Sequence, residues 1–159
     1  MHRAYLSLGS NLEPEQNLGA AIEELRARFG AIVVSPVYRS AAVGFECPAF
    51  LNLAVGIDTD LDPVALDAWL HALEDRHGRR RDGPRYSSRT LDVDIVLFDE
   101  RIVRGPGHLE IPRPELAEAF VLVPLADIAP AARDPRSGRT IAELLAALPP
   151  VERAALDRV

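Results

Sequence analysis

Residues 88–98 read Ser88-Arg89-Thr90-Leu91-Asp92-Val93-Asp94-Ile95-Val96-Leu97-Phe98. Two carboxylates stand two residues apart, and an unbroken apolar run follows the second. Alternate side chains of a strand share a face, so Asp92 and Asp94 are predicted to project together while Val93 turns the other way. Two carboxylates held so close repel each other unless a cation or an arginine neutralises them. Just upstream, residues 76–89 contain six arginines (76, 79, 80, 81, 85 and 89) and one acid, Asp82. Paired carboxylates beside an arginine-dense loop suit Mg2+-assisted chemistry on a polyphosphate. A hard cation takes carboxylate and phosphate oxygens together, and a guanidinium grips phosphate in a fixed fork. In isolation Asp-x-Asp is common, and two solvated acids at the start of a strand are the bland alternative.

Working outward, strand-like and helical patterns alternate. Residues 51–59 alternate as a strand, and Asp62-Pro63 opens a helix burying Leu66, Trp69, Leu70 and Leu73 and ending near His77-Gly78. Residues 31–38 read as one strand, set near an edge by Pro36, and residues 39–50 as a loop with Gly44 and Pro48. Residues 4–8 are a strand closed by a turn at Gly9-Ser10-Asn11. Glu13-Pro14-Glu15 starts an amphipathic helix carried by Leu18, Ile22, Leu25 and Phe29, and Gly30 stops it. Downstream, residues 99–115 are a polar, proline-rich connection. Residues 116–128 include an apolar stretch, 120–125, whose pattern does not choose between helix and strand. Residues 134–138 form a turn, Thr140 caps a short helix reaching Leu148, and the tail after Pro149-Pro150 is expected to be weakly held. The order β-α-β-β-α-β predicts an α+β, ferredoxin-like sandwich with C-terminal additions. Its mostly antiparallel sheet is expected to be covered by helices on one face. A single domain over residues 1–159 is expected.

Composition narrows the function. A chain of 159 residues, 48% apolar, can bury a sizeable core. No apolar run reaches the roughly 18–20 residues of a membrane span. Met1 to Tyr5 lead directly into a strand, with no room for a signal peptide. Cys47 is the only cysteine, which rules out an intramolecular disulfide and a cysteine zinc site. A cytoplasmic monomer is expected. The net charge of −6 makes nucleic acid and anionic membranes poor partners, whereas the local arginine cluster suits a small anionic ligand. The chain has no lysine. That excludes a Walker A loop and a protein-kinase strand lysine, and it leaves phosphate contacts to arginine and backbone N–H groups.

Three further sets are candidates for chemistry. Arg79, Arg81, Arg85 and Arg89 are phosphate ligands by type, with Arg76 and Arg80 read as solvated. Tyr86 can stack on a planar ring, although a lone loop tyrosine is ordinarily just partly buried. Ser40, Ala41, Val43, Gly44, Phe50, Asn52 and the distant Phe120 form an apolar and aromatic set around one amide. Core packing is the ordinary role for each phenylalanine. Asn52, inside a strand, needs partners and can read the donor–acceptor edge of a heterocycle. His71 and Glu74, three apart on the second helix, share a face near the arginine loop; a helix-surface pair is the alternative. His77 and His108 have no metal-ligand spacing and receive no role.

Six motifs occur in order: Ala4-Tyr5-x-x-Leu8-Gly9-Ser10-Asn11-Leu12, Ser35-x-x-Tyr38-Arg39-Ser40, Phe50-Leu51-Asn52, Glu74-x-x-x-Gly78-Arg79-x-Arg81, Arg89-Thr90-Leu91-Asp92-x-Asp94-Ile95 and Pro124-Leu125-x-x-Ile128-Ala129-Pro130. Over residues 4–148 the chain resembles the 6-hydroxymethyl-7,8-dihydropterin pyrophosphokinases of folate biosynthesis. The resemblance implies that the intact diphosphate of ATP passes to the hydroxymethyl group of the pterin, giving AMP. It implies two Mg2+ ions held by Asp92 and Asp94, and catalytic roles for Arg81, Arg89, Asp92 and Asp94. ATP contacts are implied for His71, Glu74, Arg81, Arg85, Arg89, Ile95 and Arg113, and pterin contacts for Ser40, Val43, Phe50, Asn52, Tyr86 and Phe120. Two catalytic loops map to residues 44–48 and 79–89. The chain departs from the family at several places, and the loop between Gly44 and Phe50 and the stretch before Phe120 each look one residue shorter. Tyr86-Ser87-Ser88 replaces tryptophan-glycine-proline, Arg113 stands at a common histidine position, and Glu118-Ala119 lacks an arginine common before the phenylalanine. A pterin- or nucleotide-binding paralogue with little catalysis is the alternative function. A ferredoxin-like RNA-binding module is a third, disfavoured by the charge and by the lack of an aromatic-rich strand motif.

Overall fold

The computed structural model describes residues 1–40, 49–78 and 91–159. Its centre is β1 (His2–Ser10), in which Ala4, Leu6 and Leu8 alternate as fully buried residues. After β1 come α1 (Pro14–Phe29), β2 (Val33–Val34), β3 (Tyr38–Ser40), β4 (Phe50–Thr59), α2 (Pro63–Arg76) and β5 (Asp92–Phe98). β4 pairs antiparallel with β1 from His2 opposite Thr59 to Ser10 opposite Leu51, and β5 pairs antiparallel along the other side. β2 and β3 both lie against the far edge of β4.

Helices α1 and α2 cover one face of this sheet. Leu18, Ala21 and Leu25 of α1 and Leu66, Leu70 and Leu73 of α2 meet Leu6, Leu8, Leu53, Val55, Val93 and Ile95 in a first core. Pro14 fits the first turn of α1, where its missing N–H costs nothing. Gly30 ends the helix at φ 79°, a conformation open to glycine. Asp62 caps α2 by accepting from the Ala65 amide at 2.8 Å.

The second face is covered as well, contrary to the expectation of helices on one side only. Beyond β5 the chain forms a small ribbon of β6 (Val103–Arg104) and β7 (Glu110–Ile111), then a 3-10 turn (Pro114–Ala117) and α3 (Ala119–Ile128). The undecided apolar segment is thus helical. Val121, Leu122 and Leu125 of α3, with Ile141 from α4 (Ile141–Ala147), pack on Ala54, Val96 and Leu97 in a second core. Thr140 and Glu143 form a reciprocal capping box at the start of α4. The tail is also more ordered than expected. After α5 (Pro150–Ala154), β8 (Asp157–Arg158) pairs with β3, completing a six-stranded sheet in the order β5-β1-β4-β3-β8.

Two further differences bear on the site. Gly9 and Ser10 belong to β1 rather than to a turn, because Gly9 is paired on both sides, with Asn52 and with Asp92. The expected strand over residues 31–38 is two short strands. At the break the Ser35 hydroxyl accepts from the Ala54 amide (2.8 Å) and donates to the Pro36 carbonyl (2.8 Å). A side chain there takes over the ladder's work beside a proline that cannot donate.

Candidate active site

β5 carries two opposite duties, and a bulge makes that possible. Leu6 faces Ile95 but Tyr5 faces Leu97, so Val96 is the extra residue. Before the bulge, Val93 and Ile95 face the first core, and Asp92 and Asp94 therefore lie on the opposite face. After it, Leu97 packs into the second core and Phe98 into the first.

Cross-strand partners share a face. Asp92 lies opposite Gly9, Gly9 opposite Asn52, and Asn52 opposite Tyr38. Asp94 lies in the next row, opposite Ser7, which faces Ala54. With strands about 4.8 Å apart, Asp92 and Asn52 are separated by roughly 10 Å of sheet, and the residue between them has no side chain. The space over Gly9 is tight. A Cβ there would lie 3.3 Å from Asn52 Oδ1 and 3.7 Å from Phe50 Cδ1. The Asn52 amide is buried and donates from Nδ2 to Ser40 Oγ at 2.7 Å. Ser40 itself lies opposite Phe50. Phe120, at the start of α3, packs against the core on this same face. Tyr38 at the end of the row donates its hydroxyl to Asp127 of α3 at 2.5 Å. Burial and that carboxylate together push the Tyr38 phenol above its ordinary pKa.

The outer edge of β5 is lined differently. The Val93 amide donates to Glu74 Oε2 of α2 at 2.8 Å, and the Arg113 amide donates to the Val96 carbonyl at 3.2 Å. These bonds satisfy backbone groups that an edge strand leaves facing away from its neighbour. Glu74 is thereby buried, 5% exposed, while the His71 side chain is 54% exposed and 3.7 Å from Asp67. The two share a helix but not an environment. Ile95 is buried on the α2 side, across the sheet from Asp92 and Asp94. Arg113 donates from Nη2 to Glu115 Oε1 at 3.2 Å, and its Nε faces Glu115 Oε2 at 3.2 Å without hydrogen-bond alignment.

The end of α2 is anchored to α1. Glu24 Oε2 meets His77 Nε2 at 2.7 Å, and Glu24 Oε1 accepts from Arg76 Nε at 3.0 Å. Burial alone would raise the Glu24 carboxyl, but those hydrogen bonds outweigh it and hold the group below its ordinary value. His77, given no role from sequence, is thus a structural partner beside the start of residues 79–90.

The structure brings Ser40, Phe50, Asn52, Asp92 and Asp94 onto one face, with Phe120 above it. Glu74, Ile95 and Arg113 lie along the β5 edge or beneath it. Val43, Arg81, Arg85, Tyr86 and Arg89 lie outside the described residues. Gly9 was missed as a site residue. The sequence places it in a turn; only its pairing with β4 and β5 puts a glycine inside a strand, where it marks close approach of another group. Among the described residues no cluster of three or more metal-ligating side chains occurs. Two carboxylates do not make a closed zinc site. They do suit Mg2+, which keeps waters and takes phosphate oxygens in its remaining positions.

A family model supplies the class: residues 5–130 match 7,8-dihydro-6-hydroxymethylpterin-pyrophosphokinase (HPPK), and the chain belongs to that family. Among its relatives, the 2-amino-4-hydroxy-6-hydroxymethyldihydropteridine pyrophosphokinase of Pseudomonas aeruginosa is 44% identical over 154 residues, spanning 94% of this chain and 93% of that one. The protein of the same name from Methylorubrum extorquens is 40% identical over 155 residues, 94% of this chain and 96% of that one. In fold, a crystal structure of HPPK-DHPS in complex with substrates matches with a TM-score of 0.77 at 14% identity, over 99% of this chain. The chain spans 46% of the length of that larger protein.

Proposed function

We propose that this chain transfers the diphosphate of ATP to the hydroxymethyl group of 6-hydroxymethyl-7,8-dihydropterin, releasing AMP, as a step of folate biosynthesis. The observation that carries the proposal is the row Asp92–Gly9–Asn52. It supports the reading because a carboxylate able to bind a hard cation and an amide able to read a heterocycle lie on one face, with a glycine between them. The names of the relatives give the reaction class. In the reaction the pterin hydroxyl oxygen bonds to the β-phosphorus, the bond from that phosphorus to the α–β bridging oxygen breaks, AMP leaves with that oxygen, and the hydroxyl proton passes to solvent. Asp92 and Asp94 would hold two Mg2+ ions, which would supply neutralisation of the phosphate charge. The work assigned to the chain's own residues is alignment. Ser40 and Asn52 hold the heterocycle edge, Phe50 and Phe120 enclose its ring with Val43 and Tyr86, and Arg81, Arg85, Arg89 and Arg113 bind phosphates. Glu74 and His71 border the nucleotide beside the β5 edge, and Ile95, buried in the first core, supports that edge from beneath rather than by side-chain contact.

The strand order supports a ferredoxin-like arrangement: β5-β1-β4, with β2 and β3 together in the place of one further strand. We take residues 1–159 as one domain acting as a cytoplasmic monomer. Purified protein with ATP, Mg2+ and the pterin should form AMP. Asp94→Ala should lower turnover by at least about a thousandfold, the scale of losing a transition-state charge contact, with an unchanged melting temperature. Turnover within a few-fold of the parent would refute the metal assignment.

A further inference from the structure

β3 carries Ser40, yet little in its own sequence fixes where it sits. It has only three residues, and the break at Ser35-Pro36 separates it from β2. Short ladders specify register weakly: a one-residue slip turns every side chain to the other face, and a two-residue slip replaces each by its neighbour but one. Either slip would remove the Ser40 hydroxyl from Asn52 Nδ2. The register is fixed from outside instead. Tyr38, 8% exposed, lies opposite Asn52 and reaches across to Asp127 with its hydroxyl. Asp127 is seven residues beyond Phe120 on α3, so the two lie on the same side of that helix. On its other edge β3 is held by β8, with Tyr38 opposite Arg158 and the Val159 amide donating to the Val37 carbonyl at 2.9 Å.

We infer that Tyr38 and Asp127 form a positioning pair for the heterocycle: they lock β3 in register so that Ser40 fixes the Asn52 amide, Nδ2 engaged and Oδ1 beside Gly9. One helix then sets both the aromatic above the row, through Phe120, and the amide within it, through Asp127. The pair touches neither substrate nor metal and acts through β3. The inference rests on the pterin assignment above.

The test is steady-state kinetics with pterin varied at saturating ATP, and the reverse, for Tyr38→Phe, Asp127→Ala, Asp127→Asn, the Tyr38→Phe/Asp127→Ala double variant, and Asn52→Ala. Tyr38→Phe and Asp127→Ala should each raise the pterin KM about fivefold, the scale of one net hydrogen bond, with kcat and the ATP KM unchanged. Asp127→Asn keeps an acceptor oxygen and should recover most of the loss. The double variant should be no worse than either single one, because both remove the same bond. A parental pterin KM in Tyr38→Phe, or an equal rise in both KM values, would overturn the pair while a raised pterin KM in Asn52→Ala keeps the assignment it rests on. A parental pterin KM in Asn52→Ala would overturn that assignment and the pair with it.

Discussion

Gly9 shows how much a single position contributes by having no side chain. It sits between Asp92 and Asn52, and the nearest atoms leave a Cβ only 3.3 Å from Asn52 Oδ1. The added methyl must push the Asn52 amide aside by a few tenths of an ångström. Gly9→Ala is therefore expected to raise the pterin KM about five- to tenfold, through one weakened hydrogen bond, and to leave the ATP KM alone. Equal changes in both constants would contradict a local effect. Asp92, Asp94 and Asn52 were legible in the sequence because residue type and period two suffice to put them on a face. Gly9 was not, because its role comes from two strands that lie more than forty residues away. Nor was the burial of Glu74, which follows from its bond to the outward-facing Val93 amide of the edge strand.

At the scale of elements, the helices with one apolar stripe and clear caps, α1, α2 and α4, were readable from the chain. α3 was not. It is apolar nearly all round and carries Pro124, which cannot donate to the carbonyl four residues back, so neither periodicity nor propensity identified it. The join between α1 and α2 depends on Glu24, held below the ordinary value of 4.5 despite its burial by His77 and Arg76. Asp99, which joins the start of β1 to the end of β5, is exposed, and despite partial desolvation the Arg3 amide and His2 hold it below 3.8. A carboxyl lowered on folding contributes stability above its unfolded pKa, and that contribution is lost as pH falls through the folded value. Stability should therefore decline as pH drops below the 4.5 and 3.8 marks. Glu24→Gln should flatten that decline in urea titrations at a series of pH values. A parallel pH profile for the variant would exclude the Glu24 contribution.

The whole molecule differs most from what the sequence suggested in having two cores. The expected one-sided sandwich accounts for α1 and α2, and the second core arises because the C-terminal additions return over the other face. The tail after Pro149-Pro150 gave no pattern of its own. Its order comes from pairing with β3, a long-range contact that no local signal announces. The central strand is enclosed by all of this. β1 has neighbours along both edges, and helices lie over both faces of the sheet. No partial opening at either end of the fold can then release it: peeling α3 and α4 away leaves it covered by α1 and α2, and losing β8 and β3 leaves it bonded to β4 and β5. Amide deuterium uptake should record that hierarchy. The N–H groups of Leu6 and Leu8 should exchange only through global unfolding, with a free energy equal to that from denaturant titration. The amides of Arg158 and Val159 should exchange orders of magnitude sooner.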